Sequence, residues 1–318
     1  MIDEKKINQN IDKLHIYFNK ILEKYFVNGK PISKYFEETS CYNCGSSEIS
    51  NSFPVNRFTH VRCKNCQMVY VNPRFKESFA HDLYNEKDYT EFYKIKLIPS
   101  IDYRRNVLAV NKYNQIMRFF DKPGNVMDIG SGLGEVLSVF KERGWDSLGI
   151  EFNEFAANYS RTEFGLKIVN KSIFDFDSSE KYDLIMLWGV LEHFFEPRKV
   201  LEKAYELLND DGLLVLEVPS ADSVLVRYYE RTLKSVDRII EGDRHLMLFS
   251  LRSFKEITEK AGFSPVEIIS NGLDISTLNR LELGNTINLS HINELQKLLD
   301  DSMQGDLMRG FFKKKVSE

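Results

Sequence analysis

The hydrophobic pattern of the chain changes near residue 122. Beyond that point, short apolar runs of strand length alternate with amphipathic stretches of helix length, and each of these periods is typical of one element. The predicted strands lie at 125–129, 147–151, 167–169, 182–188, 212–219 and 265–270. The predicted helices lie at about 133–143, 153–164, 197–208 and 250–262. This alternation predicts an α/β fold, in which helices cover both faces of a doubly wound parallel sheet.

Three segments precede this domain, which spans 122–318, and one segment interrupts it. Residues 1–40 carry apolar positions at helical intervals, which predict an amphipathic helix over 7–27. Residues 76–121 are predicted to form a helical cap or lid. Residues 221–249 are charged and are predicted to be a largely helical insertion within the domain.

The four cysteines of the chain fall into two close pairs and are Cys41, Cys44, Cys63 and Cys66. The order C-x2-C, eighteen residues, C-x2-C is typical of a zinc site with four thiolate ligands. Two disulfides or free core thiols are the alternatives. The lack of a secretory signal disfavours disulfides, and scattered core cysteines would not all occur in pairs. We therefore predict a small zinc ribbon at 41–75, with a structural role because four thiolates leave no open coordination position.

The stretch VMDIGSGLGEVL, residues 126–137, has the pattern of a strand, a glycine-rich turn and the start of a helix. The glycines of this turn are Gly130, Gly132 and Gly134. The dinucleotide fingerprint is G-x-G-x-x-G, but here Glu135 occupies the sixth position. Asp128 adds a second carboxylate near the helix N-terminus, where a pyrophosphate would otherwise bind. Two carboxylates repel a diphosphate and attract a positively charged ligand, so the turn disfavours NAD.

With these residues, the sequence resembles the class I S-adenosylmethionine (SAM)-dependent methyltransferases. Five segments follow the order of that family: DIGSGLG, GIEFN, YDLIMLWGVLEHF, LLNDDGLLVLEVPS and RHLMLFSLRSFKEITEKAGF. The resemblance covers roughly 100–318 and implies a seven-stranded Rossmann-like sheet whose last strand, at 306–314, runs antiparallel. Family members with an N-terminal four-cysteine zinc module include sugar C-methyltransferases, and the family builds its acceptor pocket from an insertion like 221–249.

The resemblance also implies the residues of the donor site. Asp128 and the three glycines would hold the methionine part of SAM, and Glu151, at the end of the second strand, would bind the ribose. A carboxylate can accept hydrogen bonds from two adjacent hydroxyls. Ser172 and Ile173 stand where the family usually has an acid beside the adenine. The full set of predicted cofactor-binding residues is Asp128, Gly130, Gly132, Gly134, Glu151, Phe152, Ser172, Ile173 and Trp188.

Two histidines are candidates for a catalytic base. His193 follows the fourth strand, at the carboxyl edge where open α/β sheets bind ligands. The alternative for His193 is a hydrogen-bonded residue that shapes the cofactor pocket. His245 ends the predicted insertion and is the stronger candidate for the base, with a structural role as its alternative.

The formal net charge is −4, which disfavours long nucleic acid as a ligand. No apolar run approaches the length of a bilayer span, and the N-terminus lacks the apolar core of a secretory signal, so we expect a soluble cytoplasmic protein. The leading prediction is an enzyme that methylates a small molecule, such as a sugar, a nucleotide-linked sugar or another biosynthetic intermediate. The alternatives are an RNA methyltransferase that grips RNA with its zinc module and a non-catalytic, zinc-dependent interaction protein. The sequence indicates no particular oligomeric state.

Overall fold

The computed structural model of the protein describes residues 4–7, 10–80, 87–233 and 238–315. Its N-terminal part begins with the helices α1 (Glu4–Ile7) and α2 (Ile11–Leu22). Leu14, Ile21 and Leu22 are buried on one side of α2, as expected of an amphipathic helix that packs against a core. The predicted N-terminal helix is confirmed, although it is shorter than 7–27.

Short strands follow α2 and lead into the cysteine module. These strands are β1 (Phe26–Val27), β2 (Lys30–Pro31), β3 (Phe36–Glu37), β4 (Ile49–Val55), β5 (Phe58–Cys63), β6 (Val69–Val71) and β7 (Arg74–Phe75). Strands β4, β5 and β6 form an antiparallel meander. The first cysteine pair precedes this meander, and the second pair lies at the turn between β5 and β6.

A series of helical segments connects the cysteine module to the rest of the chain. The α-helical segments are α3 (Lys87–Phe92), α4 (Ile101–Tyr103) and α5 (Val110–Ile116). Wider π-helical turns occupy Tyr93–Leu97 and Arg104–Ala109. The region falls within the cap or lid predicted at 76–121, of which residues 81–86 lie outside the described residues.

A seven-stranded sheet forms the centre of the molecule. The remaining strands of the chain are β8 (Asn125–Ile129), β9 (Asp146–Ile150), β10 (Lys167–Val169), β11 (Tyr182–Trp188), β12 (Leu208–Pro219), β13 (Met247–Leu248), β14 (Phe263–Asn271) and β15 (Leu307–Lys314). All except β13 belong to the central sheet, in the order β10-β9-β8-β11-β12-β15-β14. Strand β15 runs antiparallel to both of its neighbours, β12 and β14, whereas the other neighbouring strands of this sheet are parallel. The predicted fold class and the antiparallel last strand are confirmed.

Helices cover both faces of this sheet. They are α6 (Glu135–Glu142), α7 (Glu154–Phe164), α8 (Pro197–Leu207), α9 (Val224–Thr232), α10 (Leu251–Lys260), α11 (Asp274–Glu282) and α12 (Leu289–Asp301). One face packs against α6, α7 and the segment 109–120. The other face packs against α8, α10 and the cysteine module, whose buried residues join the same hydrophobic cluster. Strands β11 and β12 are apolar along most of their length because they are covered on both sides.

The sequence pattern did not predict three features of the C-terminal half. Strand β13 pairs with β6 and so joins the sheet of the cysteine module. Within the predicted insertion, α9 is the helix among the described residues, while 234–237 lie outside them. Helices α11 and α12 were not expected, because their periodicity is inverted: Asp274 and Gln296 are buried, whereas Leu298 is exposed.

None of the helices within the described ranges has the length and apolar character needed to cross a bilayer.

Candidate active site

The glycine-rich turn and the ends of two parallel strands form one end of a cavity. Strands β8 and β9 are paired in register, with Asp128 opposite Gly149, so both strands end at the same edge of the sheet. The backbone N–H of Gly132 donates to one carboxylate oxygen of Glu151 at 2.7 Å, and that of Asn153 donates to the other at 2.7 Å. These bonds hold the Glu151 carboxylate against the turn that follows β8.

Two buried carboxylates at this end lack an ion-pair partner among the described residues. Asp128 is 2% exposed, and its Oδ1 atom has no hydrogen-bond partner among the described residues. Neither Asp128 nor Glu151 forms an ion pair within the described parts of the chain. Burial raises the pKa of Asp128 well above its usual value, although Lys112 opposes this. Burial also raises the pKa of Glu151. The unpaired carboxylates favour a cationic ligand.

The three glycines of the turn have different roles. All three have positive φ, which glycine adopts without a steric penalty. A Cβ atom at Gly132 would meet no atom within 4 Å, whereas one at Gly130 would collide with the Val190 side chain. Gly134 does not line the cavity; a Cβ there would lie 2.5 Å from Leu166 Cδ1 and 2.9 Å from Ser160 Oγ. Gly134 is therefore needed for the packing of α6 against α7 and the loop that follows.

The cavity has a volume of about 540 Å³ and is lined by every other predicted cofactor and catalytic residue. Ser172 accepts a hydrogen bond from the backbone N–H of Phe174 at 3.3 Å, which starts the turn containing Ile173. Ile173 is buried, while the side chain of Phe152 is 39% exposed. The ring of Trp188 lies 4.0 Å from the Lys112 ammonium. The volume is in the usual range for small-molecule sites.

His193 and His245 also line the cavity, where their rings meet. Their ring centroids are 4.9 Å apart, although the residues are far apart in sequence. His193 Nδ1 lies 2.9 Å from the carbonyl oxygen of Arg244, and His245 Nδ1 lies 2.5 Å from that of Ile239. Burial lowers the pKa of His193 to about 3 and also lowers that of His245. Both imidazoles are therefore neutral at pH 7, as a proton acceptor must be.

The four cysteine sulfur atoms converge. Cys41 Sγ lies 3.4 Å from Cys66 Sγ, and Cys44 Sγ lies 3.5 Å from Cys63 Sγ. One sulfur from each cysteine lies within 4.8 Å of all the others. Disulfide sulfurs would be about 2 Å apart, so the cysteines are free thiols arranged as one cluster.

Comparison with known proteins establishes the class of this α/β chain. Residues 102–268, more than half of the sequence, match the family described as "Methyltransferase domain". The chain belongs to this family. The predicted recognition as a methyltransferase is confirmed, and the protein is an enzyme. No curated protein matches its sequence.

Several solved structures share the fold of this methyltransferase. One is the magnesium protoporphyrin IX methyltransferase of Synechocystis with bound S-adenosylhomocysteine (SAH), with a TM-score of 0.53 and 11% identity over 76% of this chain and 100% of that one. Another is the 1,6-didemethyltoxoflavin-N1-methyltransferase of Burkholderia thailandensis, with a TM-score of 0.53 and 12% identity over 84% and 100%. The plantazolicin methyltransferase BpumL has a TM-score of 0.50 and 17% identity over 74% and 95%. The methyltransferase therefore has the fold of the SAM-dependent enzymes.

The sequence reasoning missed several charged residues of the cavity. Lys112 lies 3.0 Å from Glu217, which also pairs with Arg309. Burial raises the pKa of Glu217, but the two cations outweigh this and bring it to about 2. The guanidinium of Arg104 donates from Nε to Ser100 at 2.9 Å and forms no ion pair with any described carboxylate. The signal for Arg104 and Lys112 was their place on a helix that directly precedes the glycine-rich strand.

Glu192 was also missed, although it lies in the segment LEH that was used to select His193. Its side chain is 2% exposed, and Oε1 lies 3.9 Å from His245 Nε2. Burial raises the pKa of Glu192 to about 8. The sequence feature that could have pointed to Glu192 is its position next to His193. That position alone does not show that the carboxylate points toward His245 and not into solvent.

The packing role of Gly134 can be tested by Gly134→Ala. We expect the free energy of unfolding in urea to fall by about 2–4 kcal/mol, because the new Cβ meets both a strained φ and close neighbours. Gly284→Ala is the matched control: Gly284 also has positive φ, but its Cβ would meet nothing within 4 Å. We expect this control to lose about 1 kcal/mol from strain alone. Equal losses in the two variants would show that contact with Leu166 and Ser160 contributes nothing.

Proposed function

We propose that this methyltransferase transfers the methyl group of SAM to a small-molecule acceptor, such as a sugar, a nucleotide-linked sugar or another biosynthetic intermediate. The observation that carries the proposal is that one cavity is lined both by the buried carboxylates Asp128 and Glu151 and by the two adjacent histidines. The solved neighbours are named for small acceptors, a magnesium porphyrin and a didemethyltoxoflavin, and for a desmethyl plantazolicin analogue. A concave pocket suits such molecules better than a long polymer.

The charges at the donor end fit SAM. SAM carries positive charge on its sulfonium and ammonium groups, and we assign Asp128 as their nearby buried carboxylate. Gly132 leaves open space beside the turn, and together with Gly130 it would let the methionine part approach the backbone. We assign Arg104 to the methionine carboxylate, because a guanidinium suits a carboxylate and this one has no carboxylate partner in the described structure.

The nucleoside part of SAM would lie toward β9 and the turn after β10. Glu151 uses one lone pair on each oxygen for backbone N–H groups and keeps a further lone pair on each for the ribose hydroxyls. Phe152, Ser172 and Ile173 would surround the adenine, and Trp188 would close the pocket beside Lys112. The apolar surfaces of Phe152 and Ile173 suit the flat face of the adenine ring.

Methyl transfer is an in-line displacement for which SAM supplies an electrophilic methyl group. The enzyme orients the acceptor atom toward this carbon, and orientation can lower the barrier by several kcal/mol. We propose that His245 removes the proton of the acceptor, while His193 fixes its position through the contact between the two rings. The hydrogen bonds of both Nδ1 atoms to backbone carbonyls leave Nε2 as the nitrogen that accepts a proton.

We propose that the cysteine cluster binds a structural zinc ion. In a tetrahedral site with Zn–S bonds of about 2.3 Å, the sulfurs lie about 3.8 Å apart, and the observed separations of 3.4 and 3.5 Å are close to this. The cluster supports the acceptor side of the cavity. Ser250 donates to the carbonyl oxygen of Cys66 at 2.6 Å, and β6 pairs with β13, which begins two residues after His245.

We propose that the domain division follows these roles. Residues 122–318 carry the catalytic sheet, with 221–249 as the acceptor-site insertion. Residues 76–121 form the cap that brings Arg104 and Lys112 to the cavity. Residues 1–40 and the zinc ribbon at 41–75 support the acceptor side.

A screen for methyl transfer tests the proposed function. The purified enzyme is incubated with SAM carrying a labelled methyl group and a panel of sugars, nucleotide sugars and related metabolites. We expect label to be transferred to one chemical class, and His245→Ala to lower kcat on that acceptor by about 100-fold or more with unchanged SAH affinity. Specific labelling of RNA, with loss of RNA binding as salt is added, would contradict the proposal.

The ribose assignment can be tested by Glu151→Ala. We expect SAH affinity, measured by calorimetry, to fall about 10- to 100-fold, because hydrogen bonds to a charged group contribute about 1.5–3 kcal/mol. Glu154→Ala, which removes an exposed carboxylate outside the cavity, is the control. An SAH analogue without the ribose hydroxyls should bind the Glu151→Ala variant and the wild type alike. If that analogue also loses affinity, Glu151 acts only by holding the turn.

The zinc site can be tested by Cys44→Ser, with Ser47→Ala in the same loop as control. We expect bound zinc to be lost and the melting temperature to fall, because a structural zinc site contributes folding free energy. Since β6 supports the acceptor side, kcat should fall while SAH affinity stays within about two-fold. A variant that is as stable as the wild type and retains full activity would contradict a structural role for the cluster.

A further inference from the structure

A second cluster of metal-ligand side chains lies beside the cavity, which two of its three members line. It consists of Glu192, His193 and His245, each of which offers one ligand atom within 4.8 Å of the other two. Glu192 and His193 come from the turn after β11, and His245 comes from the segment before β13. We propose that these three side chains bind a divalent first-row transition-metal ion, separate from the ion at the cysteines.

The hydrogen bonds of the imidazoles match those of metal-binding histidines. A carbonyl oxygen only accepts, so the Nδ1 atoms facing Arg244 and Ile239 must carry hydrogen and donate. Each ring is thereby fixed in the tautomer whose Nε2 carries a lone pair. Histidines that bind metals commonly donate their other N–H to a backbone carbonyl in this way, which also fixes the ring orientation.

The carboxylate of the cluster lacks a compensating charge. Glu192 is 2% exposed, and its Oε2 atom has no hydrogen-bond partner among the described residues. Within the described structure, the basic side chain that Glu192 approaches is His245, whose Nε2 lies 3.9 Å from Glu192 Oε1. The nearby guanidinium of Arg244 is paired with Glu241 and Asp243 instead. Because Glu192 is buried without a Lys or Arg partner among the described residues, its ionisation is costly, and a bound divalent cation would supply the missing charge.

The geometry needs only small movements to coordinate an ion. Metal–ligand bonds of about 2.1 Å place ligand atoms about 3–4 Å apart, so a largest separation of 4.8 Å closes with rotations of the side chains. Two imidazoles and a carboxylate suit Mn²⁺, Fe²⁺, Co²⁺ or Zn²⁺, whereas four thiolates favour zinc. The thiolate site therefore favours zinc, whereas the mixed site accepts a wider range of ions that includes zinc.

Three protein ligands leave coordination positions open, and these would face the cavity that His193 and His245 line. We infer that the open positions bind two neighbouring oxygens of the acceptor, as in a vicinal diol or a hydroxyl beside a carbonyl. This role rests on the proposed function, whereas ion binding itself does not.

The ion would change how the acceptor loses its proton. A hydroxyl bound to a divalent cation has a lowered pKa, so its proton passes to water and the alkoxide attacks the methyl carbon. The O–C bond forms as the C–S bond breaks, and the sulfonium becomes a neutral thioether. When the ion is bound, His193 and His245 are its ligands and do not accept the proton. If the reaction proceeds without the ion, the histidines are the proton acceptors. A chelator therefore distinguishes the two routes, because it stops only the first.

Equilibrium dialysis of Mn²⁺ against the full chain, with zinc already at the cysteines, tests the site. We expect one Mn²⁺ per chain, and binding weakened about ten-fold or more in Glu192→Gln and in His245→Ala. His291→Ala, which changes an exposed histidine outside the cavity, should bind Mn²⁺ like the wild type. Calorimetric binding of SAH shows that each variant is folded.

Two outcomes would overturn the site: no Mn²⁺ or Co²⁺ bound by the wild type, or binding that is equally strong in both ligand variants. Chelation of the weaker ion then tests its role. Loss of methyl transfer that Mn²⁺ restores supports the role, and full activity without the ion overturns it. If Mn²⁺ binds as expected but no acceptor is ever methylated, the proposed function fails while the ion site stands.

Discussion

The short segment 246–249 lies between two sheets, and its backbone hydrogen bonds hold the acceptor side of the cavity in place. Met247 and Leu248 pair with β6 of the cysteine module, while Phe249 N–H donates to the carbonyl of Pro219 at the end of β12, at 2.9 Å. Leu246 N–H donates to the carbonyl of Glu192 at 2.9 Å. The backbone that follows His245 is therefore held by three partners: β6, the end of β12 and the turn that contains His193. The cysteine module is thus part of the active-site wall, because its strand is one of these partners.

The buried carboxylates in and around the cavity differ in how their charge is balanced. Glu217 is matched by Lys112 and Arg309, and Glu241 by Arg244 and Lys96, at 2.9 and 3.9 Å. These carboxylates therefore already have cations beside them. Asp128, Glu151 and Glu192 form no ion pair with a described Lys or Arg, and a buried carboxylate without such a pair is costly. Their persistence in the fold is best explained if ligands supply the positive charge.

Much of the fold follows from local sequence pattern. Strands such as 125–129, 167–169 and 182–188 were predicted with their observed bounds, because buried parallel strands are nearly continuous apolar runs. Helices α11 and α12 were missed for an equally physical reason. Gln296 donates to Asp274 at 3.2 Å, and Asp274 accepts from the backbone of Asp306 at 2.8 Å. A polar network thus occupies the buried side where an amphipathic helix would normally place leucines.

The sequence predicted the site residues only where a short local motif also defines their positions in the fold. The turn from Asp128 to Gly134 and the residue Glu151 each lie at the end of a predicted strand, so their place at the edge of the sheet could be predicted. The positions of Arg104 and Lys112 could not, because the π-helical turn Arg104–Ala109 changes the angle per residue, so a standard helical period misplaces the face that meets the cavity. The meeting of His193 with His245 depends on the pairing of β13 with β6, a contact between segments almost two hundred residues apart. Such long-range pairing leaves no local pattern, so chemistry that depends on it becomes visible only in the folded chain.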